Sequence, residues 1–305
     1  MDTLAPTPNA SPKYSAAQVS KAIDETPKLA SLRSINDALA QLIRAENSVG
    51  SQIAEVIRRD PSLTSRLLKI VNSVFFSLEQ TVNNIEEAVL YLGLRQIREF
   101  ALATPVIEDI SNLSGVLAEE DWKAIWKHSI ATAIITREVL SIANIPYEDD
   151  TDYIMGLVHN IGKIVMASAF PDALKEVLNM QATSPQVICD REKELIGWDH
   201  PMIGSYYLKR HNMSDQIIEA AQYHNSPEHA ENFPKSAAAV QIADAMARSI
   251  NIRGIEDVPP PEKEDWVKLS GWKILFGEDE EEYPLILASM RYALMRIPNV
   301  IEGAI

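Results

Sequence analysis

Apolar residues in this chain return at intervals of three and four, and they seldom alternate with polar ones. That interval is the repeat of one helix face, whereas alternation would mark a half-buried strand. Leu32, Ile35, Leu39 and Leu42 form one such stripe, and Leu63, Leu67, Leu68 and Val71 form another. The second follows Asp60-Pro61-Ser62, a strong helix start. Asp60 can cap it, and Pro61 suits the first helical position because its missing N–H would be unpaired anyway. Asn84 with Glu87 three residues on resembles a capping pair, with Ile85, Ala88, Val89 and Leu92 behind it and Gly93 as a stop. The chain therefore reads as all-α.

The second half extends the pattern. Helices are expected from near Asp121, from near Asp152, from about Pro201, from Ser214 to Tyr223 or His224, and over an Ala-rich stretch around 235–250. Prolines keep IEDVPPPEKED, 255–265, from regular structure, and GEDEEEYP, 277–284, reads as a solvated acidic turn before a last helix over about 285–296. The expected organisation is a flexible Pro/Ser/Thr/Ala-rich tail over 1–20, an N-terminal helical lobe over 21–110, and a second helical lobe over 111–252. Linker, acidic turn and C-terminal helix fill 253–305.

Charge narrows the partners. A chain of 305 residues with formal charge −15 lacks the Lys and Arg excess of a broad nucleic-acid surface, and it would be repelled by an anionic membrane. A local basic pocket stays open. The single cysteine, Cys189, cannot form an intrachain disulfide and reads as a packing residue, which suits a reducing cytoplasm. The start MDTLAPTPNASPKYS has no secretory pattern, and no apolar run approaches the roughly 20 residues that cross a bilayer.

Some polar residues sit where a helical core would not place them. In GLVHNIGKIV, Gly156, His159, Asn160 and Lys163 are spaced i, i+3, i+4, i+7 and share one face of a continuous helix. Leu157, Ile161, Ile164 and Val165 are left to the core, and Gly156 lets another group come close. His128 stands among Trp, Ile and Ala, and Asp244 lies in SAAAVQIADAMA, where an unpartnered charge would be costly. His200 opens a helix beside Asp199, and His224 ends one. Imidazoles and a carboxylate brought together from separate helices are how helical proteins hold divalent metals.

On these residues the chain resembles the HD superfamily and, within it, the HDOD (HD-related output) domain, over roughly 22–250. The resemblance rests on IAEVIRRDPSLTSRLLKIVNS and IEEAVLYLG in the first lobe. In the second it rests on WKHS, GLVHNIGK, E-x-E-x-x-G-x-D-H-P-x-x-G and AAQYHNSPE. It implies an HD-like helical bundle with an added N-terminal lobe and a bacterial signalling role. By position it places the superfamily's metal ligands on His128, His159, Asn160 and Asp244. The extra histidines of the binuclear HD-GYP branch fall on His200 and His224, with Asn225 where a further one would stand. Lys163 matches the lysine that contacts phosphate in active relatives.

Three departures from the active pattern bear on chemistry. Position 160 carries Asp in active relatives, and in binuclear ones that carboxylate bridges the metals. Two dications ~4 Å apart repel by on the order of ten kcal/mol or more, which a neutral amide cannot offset. Asn225 removes another ligand, and SPEHAENFPKS follows in place of the Gly-Tyr-Pro loop. The expectation is a non-catalytic signalling module with a degenerate metal site and no catalytic residue. It acts on unidentified signalling proteins or a nucleotide ligand, with no cofactor or one divalent ion. The alternative is a mononuclear phosphohydrolase or phosphodiesterase that uses His128, His159 and Asp244.

Overall fold

A computed structural model describes residues 13–26, 117–145, 151–211, 213–255, 258–262 and 264–303, with positions 82, 84, 87 and 88. Most of the expected N-terminal lobe, including the helices assigned around Leu32 and after Asp60, lies outside the described residues. Asn84 lies inside, and its side chain accepts the Glu87 N–H at 2.8 Å, as the capping pattern predicted.

The described elements are helical throughout. Helix α1 spans Ala16–Asp24, α2 Glu119–Ile142, α3 Thr151–Val158, α4 Ile161–Ala169 and α5 Pro171–Leu178. Then come α6 Pro185–Ile196, α7 His200–Arg210, α8 Asp215–Tyr223, α9 Pro234–Ser249, α10 Ser270–Phe276 and α11 Tyr283–Gly303. Two expectations need correction. The tail assigned to 1–20 gives way to helix from Ala16, because Ser15 and Gln18 form a capping box and Val19 and Ile23 bury an apolar face. The continuous helix through GLVHNIGKIV is two helices, α3 and α4, with a turn at His159 and Asn160.

The core is built around α2. It packs against α3 and α9 on one side and α11 on another, while α7 joins α4 to α8. Two glycines set the close crossings. A Cβ on Gly156 would stand 2.5 Å from Ala133 Cα, so α3 lies almost backbone to backbone on α2. A Cβ on Gly162 would stand 1.9 Å from the His200 carbonyl oxygen, so the start of α4 meets the start of α7 just as closely. These contacts bring His159 and Asn160 between the helices carrying His128 and His200.

One buried ion pair bolts α2 to α3. Arg137 donates from Nε and Nη2 to both oxygens of Asp152 at 3.0 and 2.7 Å, and Asp152 also accepts the Tyr153 N–H at 2.7 Å. Among the described residues no single helix is long and apolar enough to cross a membrane. The apolar stretch from α3 to α5 bends by 118° and supplies core residues such as Val158, Ile164 and Leu174.

Candidate functional site

The turn between α3 and α4 explains why His159 and Asn160 face inward. A helix that continued would have turned successive residues by about 100°. The break aims both side chains at the crossing of α2, α7, α8 and α9. His159 is fully buried, and His128, His200 and His224 are nearly so. Ring centroids run in a chain, His128 to His159 at 5.3 Å, His159 to His224 at 5.2 Å and His224 to His200 at 5.6 Å. All six residues expected from the sequence as metal ligands are thus gathered in one place. Lys163, His128, Asn160, His200, His224 and Asp244 line a shared pocket with about 450 Å³ of empty space, part of it open to solvent. His211 and His229 lie outside that lining, as expected.

Each of the four imidazoles has an acceptor at Nδ1. His128 faces the Ile252 carbonyl at 3.1 Å, His159 the Gly156 carbonyl at 2.7 Å, and His224 the Ala221 carbonyl at 2.8 Å. His200 faces Glu192 Oε2 at 2.7 Å, and its backbone N–H donates to the same oxygen at 2.8 Å. At His159, His200 and His224 an acceptor at Nδ1 holds the proton there and leaves Nε2 as the coordinating nitrogen, whereas His128 Nε2 faces Asp244 Oδ1 at 2.9 Å and coordinates only once an ion replaces that contact. Burial lowers the pKa of His159, against the pull of Asp244. Burial, with His159 and His200 adding to it, holds His224 well below the ordinary value. Both rings are therefore neutral near pH 7.

Asp244 is the carboxylate of the group. Its Oδ1 lies 2.9 Å from His128 Nε2 and 3.8 Å from His159 Nε2, the second too far for a hydrogen bond. Its Oδ2 takes both Nε and Nη2 of Arg248, one helical turn on, at 2.9 and 2.8 Å. Burial opposes its charge, yet Arg248, His128 and His159 together hold the carboxyl well below its usual range.

The donor set fits one divalent ion. His128, His159 and Asp244 offer ligand atoms that all lie within 4.8 Å of one another. Beside these ligands the buried acceptor atoms His159 Nε2 and Asn160 Oδ1 have no hydrogen-bond partner among the described residues. An orphaned lone pair in an otherwise satisfied core is what a cation would pair. Two ions fit less well. The far half of the pocket offers His200, His224, Asn160 and Asn225, and among the described residues no carboxylate lines it.

Sequence reasoning missed three groups. Arg248 and Arg253 both line the pocket. Arg248 was legible in principle, since residues four apart on a helix touch. Arg253 lies beyond the end of α9, where periodicity says nothing. Glu192, the first Glu of the E-x-E motif, orients His200, whereas neighbouring Asp199 caps α7 through the Met202 N–H at 2.9 Å. Cys189 lies 4.0 Å from His200 Nδ1, and Asn225 Nδ2 lies 3.5 Å from its sulfur. Burial, with Glu192 and Asp199, pushes its thiol pKa up, so it stays protonated and packs beneath the site.

Comparison with known proteins returns one family. A model of the HDOD domain matches residues 29–227. An HDOD domain protein from Geobacter sulfurreducens superposes with a TM-score of 0.73 at 20% identity, over 95% of this chain and 97% of that one. A Shewanella amazonensis SB2B protein, provisionally named a phosphohydrolase, gives 0.65 at 23% identity over 95% and 98%. A Marinobacter aquaeolei VT8 protein, provisionally named for signal transduction, gives 0.69 at 18% over 94% and 64%. At these identities the likeness is one of fold. An uncharacterized protein of Treponema pallidum is 25% identical over 188 residues, 61% of this chain and 35% of that protein, so the match spans about a third of its length.

Proposed function

The chain belongs to the HDOD domain family, and from that premise we propose that it is a non-catalytic bacterial signalling module. In this reading the pocket is kept for binding, and output passes to partner proteins in the cytoplasm. One observation carries it. At the crossing where active HD relatives carry a second carboxylate, the side chain is Asn160, with its amide oxygen buried and unpartnered. Among the described residues Asp244 is then the one acidic residue on the pocket lining, and Arg248 already holds one of its oxygens. A pair of dications would meet too little negative charge to be held together.

The test is direct. Purified protein is supplied with Mn²⁺, Fe²⁺, Co²⁺ or Ni²⁺ and offered cyclic dinucleotides, nucleotides and simple phosphodiesters. No turnover is expected. Metal-dependent hydrolysis that disappears in His159→Ala would overturn the reading.

A second reading is supported by the convergence of His128, His159 and Asp244. One ion held there would supply Lewis-acid chemistry for a mononuclear phosphohydrolase. His128 and His159 would present neutral nitrogens, Asp244 a carboxylate oxygen, and Lys163 a cation for a phosphate oxygen. Elemental analysis separates the two. Stoichiometric metal together with turnover favours the second reading, and metal without turnover favours a structural ion in the first.

A further inference from the structure

The pocket is more cationic than a metal site needs to be. Among the described residues Lys163, Arg248 and Arg253 line it against one carboxylate, that of Asp244. Counting Lys and Arg against Asp and Glu, three cations less one anion give this described lining a formal +2, inside a chain of formal charge −15. A basic lining in an acidic molecule is a local reversal. It disfavours a second metal ion and attracts an anion.

Arg253 supplies an independent observation. Its Nε is buried and has no hydrogen-bond partner among the described residues. A guanidinium N–H left without an acceptor loses the hydration it had in the unfolded chain and gets nothing back. Arg248 is already turned into the pocket by Asp244, and the two arginines stand on α9 and on the segment that follows it. The chain just before Arg253 is tied to the site, because the Ile252 carbonyl faces His128 Nδ1 at 3.1 Å.

We propose that this pocket binds a phosphate dianion directly, without a metal, on the wall formed by Arg248 and Arg253 with Lys163. The proposal deepens the binding role argued above and rests on it. Planar guanidinium groups present paired N–H donors to phosphate oxygens, and a phosphate monoester at neutral pH carries −1.5 to about −2, which matches the lining. The space is limited, about 450 Å³ of empty volume that includes open solvent. A ligand therefore enters with its phosphate group and leaves any larger organic part toward solvent.

The experiment is calorimetric titration of the whole chain in the presence of a chelator, with inorganic phosphate as one probe and adenosine monophosphate as another. Phosphate is expected to bind, and Arg253→Gln to weaken it by about tenfold to a hundredfold. Arg253→Lys should recover part of the loss. Circular dichroism melts of each variant exclude misfolding, and Arg253, intermediate in exposure, lies outside the helices. Tighter binding of the nucleotide identifies an ester as the ligand, and equal binding identifies free phosphate; either supports the proposal. No binding of either probe at millimolar concentration overturns it. So does binding that Arg253→Gln leaves unchanged, or binding that appears only when Mn²⁺ is added. Failure here leaves the non-catalytic reading standing, while metal-dependent hydrolysis would end that reading and leave metal-free phosphate binding intact.

Discussion

Asp152 and Asp244 are both buried carboxylates that face an arginine, and they do different work. Asp152 gives both oxygens to Arg137 and accepts a backbone N–H besides, so none of its charge is left over. Asp244 gives one oxygen to Arg248 and turns the other toward His128 and His159 at the pocket wall. The first pair is closed and holds two helices together. The second is open on one side, and an incompletely satisfied charge beside an orphaned ring nitrogen, His159 Nε2, marks a place for a ligand.

The contrast is broken most easily at Asp152. Asp152→Ala takes a two-oxygen partner from the Arg137 guanidinium, only 6% exposed, and should cost about 3–5 kcal/mol, read as a lower denaturation midpoint at unchanged slope. Asp244→Ala should cost clearly less, because the Arg248 side chain is 15% exposed and can be hydrated. Equal losses in the two variants would mean that Asp244 is a bolt too.

Acid should weaken the open region first. His159 and His224 are held below their ordinary pKa in the fold, so the unfolded chain takes up protons that the native chain refuses. Stability therefore falls as pH drops below about 6.5, by roughly 1.4 kcal/mol per pH unit for each ring, until the native rings titrate. Asp244, with its carboxyl held well below the usual range, adds stability above about pH 4 that is lost only on further acidification. Chemical denaturation in chelator at several pH values measures both, and His224→Gln should flatten the upper slope.

How much of this was legible without coordinates depends on what kind of contact is involved. The gathering of His128, His159, His200, His224 and Asp244 followed from polar residues set in apolar helices and from a family pattern. The capping pair at Asn84 and the start of α7 followed from local chemistry. The turn at His159 and Asn160 did not, because both helices beside it keep the same apolar period and only the packing of Gly162 on His200 reveals the break. Nor did the cationic wall. Arg253 acts from an irregular segment, and the N–H that matters there is identified by burial, which a sequence does not display.

Restoring the missing carboxylate sharpens the comparison from the other side. Asn160→Asp places a second negative charge at the turn between α3 and α4, on the lining it shares with His128, His200 and His224. Affinity for Mn²⁺ should rise on the order of a hundredfold, with a second ion per chain in elemental analysis. If stoichiometry and affinity stay as they are, the amide is not what limits the site.

The smallest expected effect tests Arg248 itself. As long as its guanidinium holds Oδ2, any ion at Asp244 must share a carboxylate that is already neutralised. Arg248→Met keeps the apolar stem and removes that competition. Mn²⁺ should then bind about tenfold tighter, while phosphate in chelator binds more weakly. Opposite shifts for cation and anion in one variant are hard to obtain from a general loosening of the fold, which would weaken both. If both weaken together, Arg248 acts as Arg137 does, and the difference between the two buried carboxylates is only one of depth.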